Sequence, residues 1–329
     1  MGVEKSPIVS LAKRVIIKYS LKPPIDIKSL IEKYAELKFV RFPFDGIDGV
    51  SLNLKVPNKR IKVIVNSNNP NVRQRFTLAH ELGHILIPWH IGTIIDSIDQ
   101  NHSNLNGELF EYWNIESEAN TFAAELLMPK TWIESLLSSN TNLADCHKEV
   151  SIECEVSPLA SAIRIVPFLP KGIIYACERD GKVEFSGRTN GTLANRLVRG
   201  VKILETNFGY CEEHFIADLD GRRLHWWQLP EKIILNTSED ERSWKEILDN
   251  ILSDISIPEN QSTKFKMSIN GVVASINGMI RQTDGYSRDV LVSAFIQRLF
   301  DRDEFKEFVK HKDFQIFLLK RANAFVNQD

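Results

Sequence analysis

Residues 80–84 read His-Glu-Leu-Gly-His, within a stretch whose apolar residues recur at helical spacing. On a helix, positions i and i+4 lie on one face, so His80 and His84 can each direct a ring nitrogen at one ion. Two neutral imidazoles are typical ligands of Zn²⁺. Glu81 lies about 100° around the helix from His80, where it can reach a metal-bound water as a general base. The motif therefore predicts a buried helix that carries a catalytic zinc site.

A catalytic zinc needs a third protein ligand and one open coordination position. The best candidate is Glu116, at the start of a helix that we expect over 115–127. It lies beside an apolar face on which Ala119 would let a neighbouring helix come close. Asn120 follows Glu116 by one helical turn. It could form a hydrogen bond with a ligand histidine without contacting the metal itself. The sequence thus favours a His-His-Glu site.

Two other residues remain alternatives for the third ligand. His90 follows His84 by six residues, the spacing of the third histidine in metzincins, but the glycine that this motif requires is replaced by Ile87. Otherwise we expect His90 to be an exposed residue at a helix end. Glu118 is the second alternative, although we expect it, like Glu125, to lie on a solvated helix face.

Two longer segments strengthen the motif. They are 73–86, RQRFTLAHELGHIL, and 116–129, ESEANTFAAELLMP. Together they closely resemble the ImmA/IrrE family of zinc metallopeptidases. The resemblance covers roughly residues 8–166 and includes the segments 24–26 and 48–51.

The resemblance implies a compact, thermolysin-like gluzincin domain. By motif match, the zinc ligands of the family fall on His80, His84 and Glu116, and its general acid/base falls on Glu81. Asn120 stands where many gluzincins have aspartate, so it can accept a histidine N–H but carries no charge.

The family also implies a reaction class. Its members typically act in bacteria, phages and mobile elements, where they often cleave helix-turn-helix repressors and so switch on stress responses or element transfer. Some are paired with toxin–antitoxin modules. We therefore expect a zinc-dependent endopeptidase that hydrolyses a specific intracellular protein, such as a helix-turn-helix transcriptional repressor or an antitoxin-like regulator. The alternative is a non-catalytic regulatory or binding protein that uses the peptidase fold as a scaffold.

The length of 329 residues predicts two domains, at about 100–200 residues each. We place the boundary between 168 and 169, since the pattern changes beyond Pro167 and Pro170. The first domain, 1–168, should combine helices with a small sheet whose early strands surround the turn signals Asp45-Gly46 and Asp48-Gly49. The overall fold class is α+β.

The second domain, 169–329, is also expected to be α+β, and it resembles no family that we recognise. Its hairpin signals are Asp180-Gly181 and Asp220-Gly221, and helices should follow them. In the adjacent pair Trp226-Trp227 the rings should face opposite ways, so that one is core and the other could anchor a partner. Cys211 and His214 could suggest another metal site, but the chain has no C-x-x-C pair, so a second zinc is not expected.

The segment 143–166 should form two short helices and could be helix-turn-helix-like. Its cationic candidates are Lys148, Arg164 and His147, and four acidic residues outnumber them. The whole chain has 41 basic and 43 acidic residues, a net charge of -2. Direct DNA binding is therefore not expected, because phosphate contacts need a basic excess.

No apolar run reaches the roughly 20 residues that a membrane helix needs. The first residues lack the hydrophobic core of a signal peptide, and four cysteines are too few for a disulfide scaffold. We therefore expect a cytoplasmic protein that meets a protein substrate and no membrane. The oligomeric state stays open.

Overall fold

The computed structural model describes residues 6–43, 46–97, 107–236, 240–283, 285–300 and 302–327, with the backbone alone for 97 and 107–113. The chain divides into two compact units, Met1–Phe168 and Leu169–Asp329. Each unit combines helices with a four-stranded sheet, which confirms the α+β class expected from the sequence.

The first unit builds its sheet from segments on both sides of the motif helix. Its helices are α1 (Pro7–Tyr19), α2 (Ile27–Ile31), α3 (Asn71–Leu86), α4 (Gly107–Leu127), α5 (Lys130–Ser139), α6 (Leu143–Glu153) and α7 (Pro158–Ile165). Its strands are β1 (Glu36–Val40), β2 (Ile47–Leu54), β3 (Lys62–Asn66) and β4 (Gly92–Ser97). A 3-10 turn at Val166–Phe168 ends the unit.

The strand order in this sheet is β1-β3-β2-β4, with β1 parallel to β3 and the other pairs antiparallel. The sequence did not predict β4, because Pro88 and His90 interrupt the apolar pattern before the strand and Gly92 begins it. Helix α4 likewise begins before the expected residue 115. The first of the two expected turns includes Asp45, which lies outside the described residues.

The second expected turn, Asp48-Gly49, is wrong, since both residues lie inside β2. The glycine serves a close approach instead. A Cβ at position 49 would overlap Glu81 Oε1 and come within 2.7 Å of Thr77 Cγ2. Gly49 therefore lets β2 pass directly over the motif helix α3.

Helices α3 and α4 pack closely because small residues face each other where they meet. A Cβ on Gly83 would lie 3.2 Å from Phe122 Cδ1 and 3.3 Å from the Cα of Ala119. Ala119 and Phe122 are fully buried. This contact brings the 80–84 motif against the start of the ESEAN segment.

The second unit begins with two hairpins and continues as helices. The strands are β5 (Ile173–Arg179), β6 (Lys182–Arg188), β7 (Glu213–Leu219) and β8 (Arg222–Gln228), all antiparallel in the order β6-β5-β8-β7. The helices are α8 (Trp244–Asp254), α9 (Glu259–Ile280), α10 (Arg288–Leu299), α11 (Lys306–Lys310) and α12 (Phe314–Val326). Apolar side chains of the helices form one core, and a second core covers part of one sheet face.

Trp226 and Trp227 are both buried, so neither ring is the exposed anchor considered above. Trp226 stacks on Tyr175, and Trp227 packs against Phe208. Among the helices of the described residues, none combines the length and the apolar character needed to cross a membrane.

Candidate metal centre

The motif residues of α3 lie in the interior of the first unit. The exposed fraction is 1% for His80 and 0% for Glu81 and His84. Polar side chains buried to this degree are costly unless they find partners. Their partners therefore show what the site is built to hold.

Three of the side chains predicted from the sequence converge on one point. His80 Nε2 lies 2.9 Å from His84 Nε2, and Glu116 Oε2 lies 3.1 Å from His80 Nε2. The other Glu116 oxygen is 3.6 Å from His84 Nε2. Within the described residues, this is the group in which three potential metal-ligand atoms lie within 4.8 Å of one another.

The donor set fits a divalent cation. Two carboxylate oxygens, Glu116 Oε1 and Glu81 Oε1, are buried and have no hydrogen-bond partner. Such orphaned acceptors are expensive, and a cation at the convergence point would satisfy Glu116 Oε1, which lies 3.6 Å from His84 Nε2. Two histidines and one carboxylate also match the ligand set of catalytic zinc sites.

Asn120 holds His80 from behind. Its Oδ1 lies 2.9 Å from His80 Nδ1, so the ring donates its Nδ1–H and directs Nε2 at the centre. Burial alone would lower the pKa of His80, but the Glu116 hydrogen bond and nearby carboxylates raise it to about 9. One of these is Asp96 on β4, whose own pKa is raised by burial. Sequence patterns did not mark Asp96, because nothing indicated a strand there.

A second chain of contacts runs behind His84. His84 Nδ1 lies 2.8 Å from His90 Nδ1, and His90 Nε2 lies 2.9 Å from Glu118 Oε2. Trp89 Nε1 donates to the same carboxylate oxygen at 2.6 Å. Burial, with the positive charges that His80, His90 and Lys55 can carry, lowers the pKa of His84 to about 2.

These contacts overturn two expectations. His90 is fully buried rather than exposed at a helix end, since it fits between His84 and Glu118. Glu118 is bound to His90 and Trp89 instead of lying free on a solvated face. Neither belongs to the group of convergent ligand atoms.

Glu125 also departs from the expected solvated face. It is 2% exposed and forms an ion pair with Arg164, while its Oε1 accepts the backbone N–H of Lys130 at 3.3 Å. Arg164 donates from Nε to Met128 O at 2.9 Å as well. This pair joins α7 to the end of α4, and it removes Arg164 from the cations available to a DNA phosphate.

Glu81 lies beside the three convergent side chains and contacts β2. Ser51 Oγ donates to Glu81 Oε2, and Gly49 leaves the space that the carboxylate occupies. Burial raises the pKa of Glu81 to about 8. Ser51 and Gly49 lie in the segment 48–51 that contributed to the family resemblance, but their contacts with Glu81 could not be inferred from spacing.

Comparisons with known proteins cover the segment that contains this site. The sequence model of the IrrE N-terminal-like domain matches residues 32–165. The radiation response metalloprotease IrrE of Deinococcus radiodurans is 32% identical over 120 residues, which is 36% of this chain and 35% of that protein. Its counterpart from Deinococcus deserti is 29% identical over 154 residues, 44% of this chain and 53% of that protein.

The chain thus spans about a third to a half of the length of these curated relatives. The matched residues contain the whole His80-His84-Glu116 group together with Glu81. Residues 32–165 are therefore similar to the IrrE N-terminal-like domain.

Proposed function

We propose that this protein is a zinc-dependent endopeptidase that cleaves a specific intracellular protein. The observation that carries the proposal is the buried His80-His84-Glu116 group with Glu81 beside it. A purely structural metal site needs no general base. The buried Glu81 carboxylate is also costly, because its Oε1 has no hydrogen-bond partner. A catalytic role accounts for Glu81.

His80, His84 and Glu116 would hold the ion, and Asn120 and His90 would keep the two rings in the tautomer that leaves Nε2 free. Zinc, when bound, supplies Lewis-acid polarisation of a carbonyl and lowers the pKa of water. Glu81 takes the proton of the attacking water as the C–O bond forms. It then delivers that proton to the nitrogen of the breaking C–N bond, so that an amine leaves.

The sheet offers a way to bind an extended substrate. Strand β4 pairs with β2 on one side and is the last strand of the sheet as described. An edge strand can take up an extended peptide through main-chain hydrogen bonds. Asp96 of this strand influences the charge of His80, so β4 lies near the proposed centre. We propose that the substrate is bound as an added strand along β4.

The proposed substrate class rests on the family resemblance and is a helix-turn-helix repressor or an antitoxin-like regulator in the cytoplasm. The relatives are named as radiation response proteases, which makes a stress-related regulator the first choice. DNA binding by 143–166 is not part of the proposal. Arg164 is engaged by Glu125, and His147 lies 2.6 Å from Pro158 O through its Nε2.

The deciding experiment compares host cells that produce either the wild-type chain or Glu81→Gln, with all new protein N-termini identified by mass spectrometry. We expect new termini only with the wild type, while both proteins purify with equal zinc. If the wild type and Glu81→Gln both carry zinc and the two cell samples show the same protein N-termini, the endopeptidase proposal is refuted. Full cellular function of Glu81→Gln would favour the non-catalytic scaffold instead.

A further inference from the structure

Asp96 is a carboxylate beside the proposed metal centre that the mechanism above does not use. It lies on β4 and pairs directly with Gly49 of β2. Directly paired residues of antiparallel strands point to the same face of a sheet, with Cβ atoms about 4.5–5.5 Å apart. Because a Cβ at Gly49 would overlap Glu81 Oε1, Asp96 Cβ lies within about 8 Å of Glu81. Asp96 therefore lies on the face of the sheet that covers the general base.

The burial of β4 agrees with this orientation. Successive side chains of a strand point to opposite faces. Ile94 shares the face of Asp96 and is 8% exposed, whereas Ile95 points the other way and is 44% exposed. Asp96 itself is half-buried. Its carboxylate thus lies at the boundary between the interior and the solvent, where a substrate can reach it.

No hydrogen bond or ion pair engages the Asp96 carboxylate within the described residues. Burial raises the pKa of Asp96, as expected of a carboxylate without a close cation. The charged groups that face it are His80, Glu116, Asp48 and Arg73. Arg73 is not available to Asp96, since its Nε donates to Asp48 Oδ2 at 2.8 Å.

The charges around the centre leave Asp96 uncompensated. A dication held by Glu116, with Glu81 beside it, balances those two carboxylates. Arg73 and Asp48 form a neutral pair of their own. Among these groups Asp96 is the negative charge that remains, and a partly buried charge is costly unless it is paired. A positive group brought by the substrate would pair it.

A substrate strand added along β4 would bring such a group to Asp96. One residue of that strand lies directly opposite Asp96, with its side chain on the same face, and opposite charges stabilise such cross-strand pairs. Strand residues rise about 3.3 Å each, so a separation of about 8 Å from Glu81 places this residue within about three residues of the cleaved bond.

We propose that Asp96 determines substrate specificity by binding a lysine or arginine side chain of the extended substrate close to the cleaved bond. The inference rests on the proposed endopeptidase function and adds to it the class of segment that is cleaved, a basic one. Arginine would bind the carboxylate with two parallel hydrogen bonds and lysine as a point charge. A free N-terminal ammonium has the same charge, so the test separates it from a side chain.

The test uses the zinc-loaded full chain and an N-acetylated peptide library. One position of the library is lysine or glutamine in turn, and the other positions are mixed. The measured quantity is the ratio of kcat/KM for lysine over glutamine at each position. We expect a ratio of at least about 10 at one position in the wild type and a ratio near one in Asp96→Asn. Asp96→Lys should reverse the preference, so that glutamate is favoured at that position.

The matched control is Glu36→Gln, which removes one negative charge from β1 at the other end of the same strand order. It should keep the wild-type ratio. A wild-type ratio near one, or the same ratio in Asp96→Asn, would overturn the role of Asp96 while the endopeptidase stands. A preference seen only in a library with free N-termini would also overturn it, in favour of a terminal ammonium.

A second readout needs no turnover. The same lysine and glutamine pools are captured on immobilised, zinc-loaded Glu81→Gln and counted by mass spectrometry. We expect the lysine pool to be enriched, and the enrichment to be lost when Asp96→Asn is added. Enrichment without cleavage by the wild type would refute the proposed function alone, whereas equal capture of both pools would refute the Asp96 site.

Discussion

The Nδ1 atoms of His84 and His90 lie 2.8 Å apart, and this contact connects the proposed metal centre to Glu118 and Trp89. The hydrogen bonds from His84 through His90 to Glu118 have one consistent set of donors. His84 donates Nδ1–H to His90, and His90 donates Nε2–H to Glu118, which leaves His84 Nε2 for a metal. We therefore propose that His90 and Glu118, both considered as ligands from the sequence, act as positioning residues.

His90→Leu should weaken zinc binding about 10–100-fold, because the orientation of His84 is lost while all three ligands remain. Competition with a zinc chelator measures the affinity. Glu134→Gln is the control, since Glu134 is a half-exposed glutamate whose salt bridge to Lys130 is on the surface. A folded His90→Leu protein with wild-type zinc affinity would show that His90 does not position His84.

Glu116→Ala should abolish stoichiometric zinc at the proposed metal centre, whereas Glu118→Ala should retain it with reduced affinity. The reason is geometric, because only the Glu116 carboxylate lies within 3.1 and 3.6 Å of the two Nε2 atoms. Elemental analysis of the purified variants separates the two glutamates. Full zinc in Glu116→Ala and none in Glu118→Ala would reverse their roles.

Much of this site follows from sequence because helical periodicity determines which residues share a face. His80 and His84 are one turn apart, and Ala119 is a small residue on the apolar face beside Glu116. Those local facts were enough to expect Glu116 beside the histidines. The α+β class followed from the same kind of local pattern, as did the two hairpins of the second unit.

The rest depended on contacts between distant segments. Glu125 is a buried ion-pair partner only because Arg164, 39 residues later, reaches it. His90 is buried beside Glu118 of α4, whose carboxylate accepts its N–H. Gly49 resembled a turn residue, yet it is glycine because Glu81 occupies the space of its Cβ. None of these relationships has a period or spacing that a sequence could display.

Gly49→Ala should reduce kcat by about 100-fold or more while zinc stays bound. The added methyl would occupy the position of the Glu81 carboxylate, and a displacement of about 1 Å at a catalytic group can cost that much. Rates on the cleaved substrate, with zinc content measured in parallel, test the effect. Gly271→Ala is the control, since its Cβ would meet no heavy atom within 4 Å. Unchanged kcat in a folded Gly49→Ala would exclude this packing of Glu81.

Arg164→Met should lower the free energy of unfolding by about 3–5 kcal/mol, because it leaves the buried Glu125 carboxylate without its cation. Urea unfolding of the full chain, monitored by circular dichroism, measures the loss. The double variant Glu125→Leu/Arg164→Met should recover much of it. Lys130→Met breaks an exposed pair with Glu134 and should cost less than about 1 kcal/mol. An equal loss of unfolding free energy in Arg164→Met and Lys130→Met would show that the buried pair contributes no more than the exposed one.

The stability of the first unit should fall in acid through His147. This side chain is 1% exposed, its Nε2 lies 2.6 Å from Pro158 O, and burial lowers its pKa to about 4. An unfolded histidine titrates near pH 6.5, so below that value the unfolded chain binds a proton that the folded chain refuses. The contribution is complete above about pH 6.5 and lost progressively toward pH 4, by about 3 kcal/mol in all.

His147→Gln, which keeps a donor but cannot titrate, should lose this part of the pH dependence. Parallel unfolding curves of the two proteins from pH 7 to pH 4 provide the comparison, because every other titrating group is common to both. Identical slopes against pH would show that His147 is not held neutral by the fold.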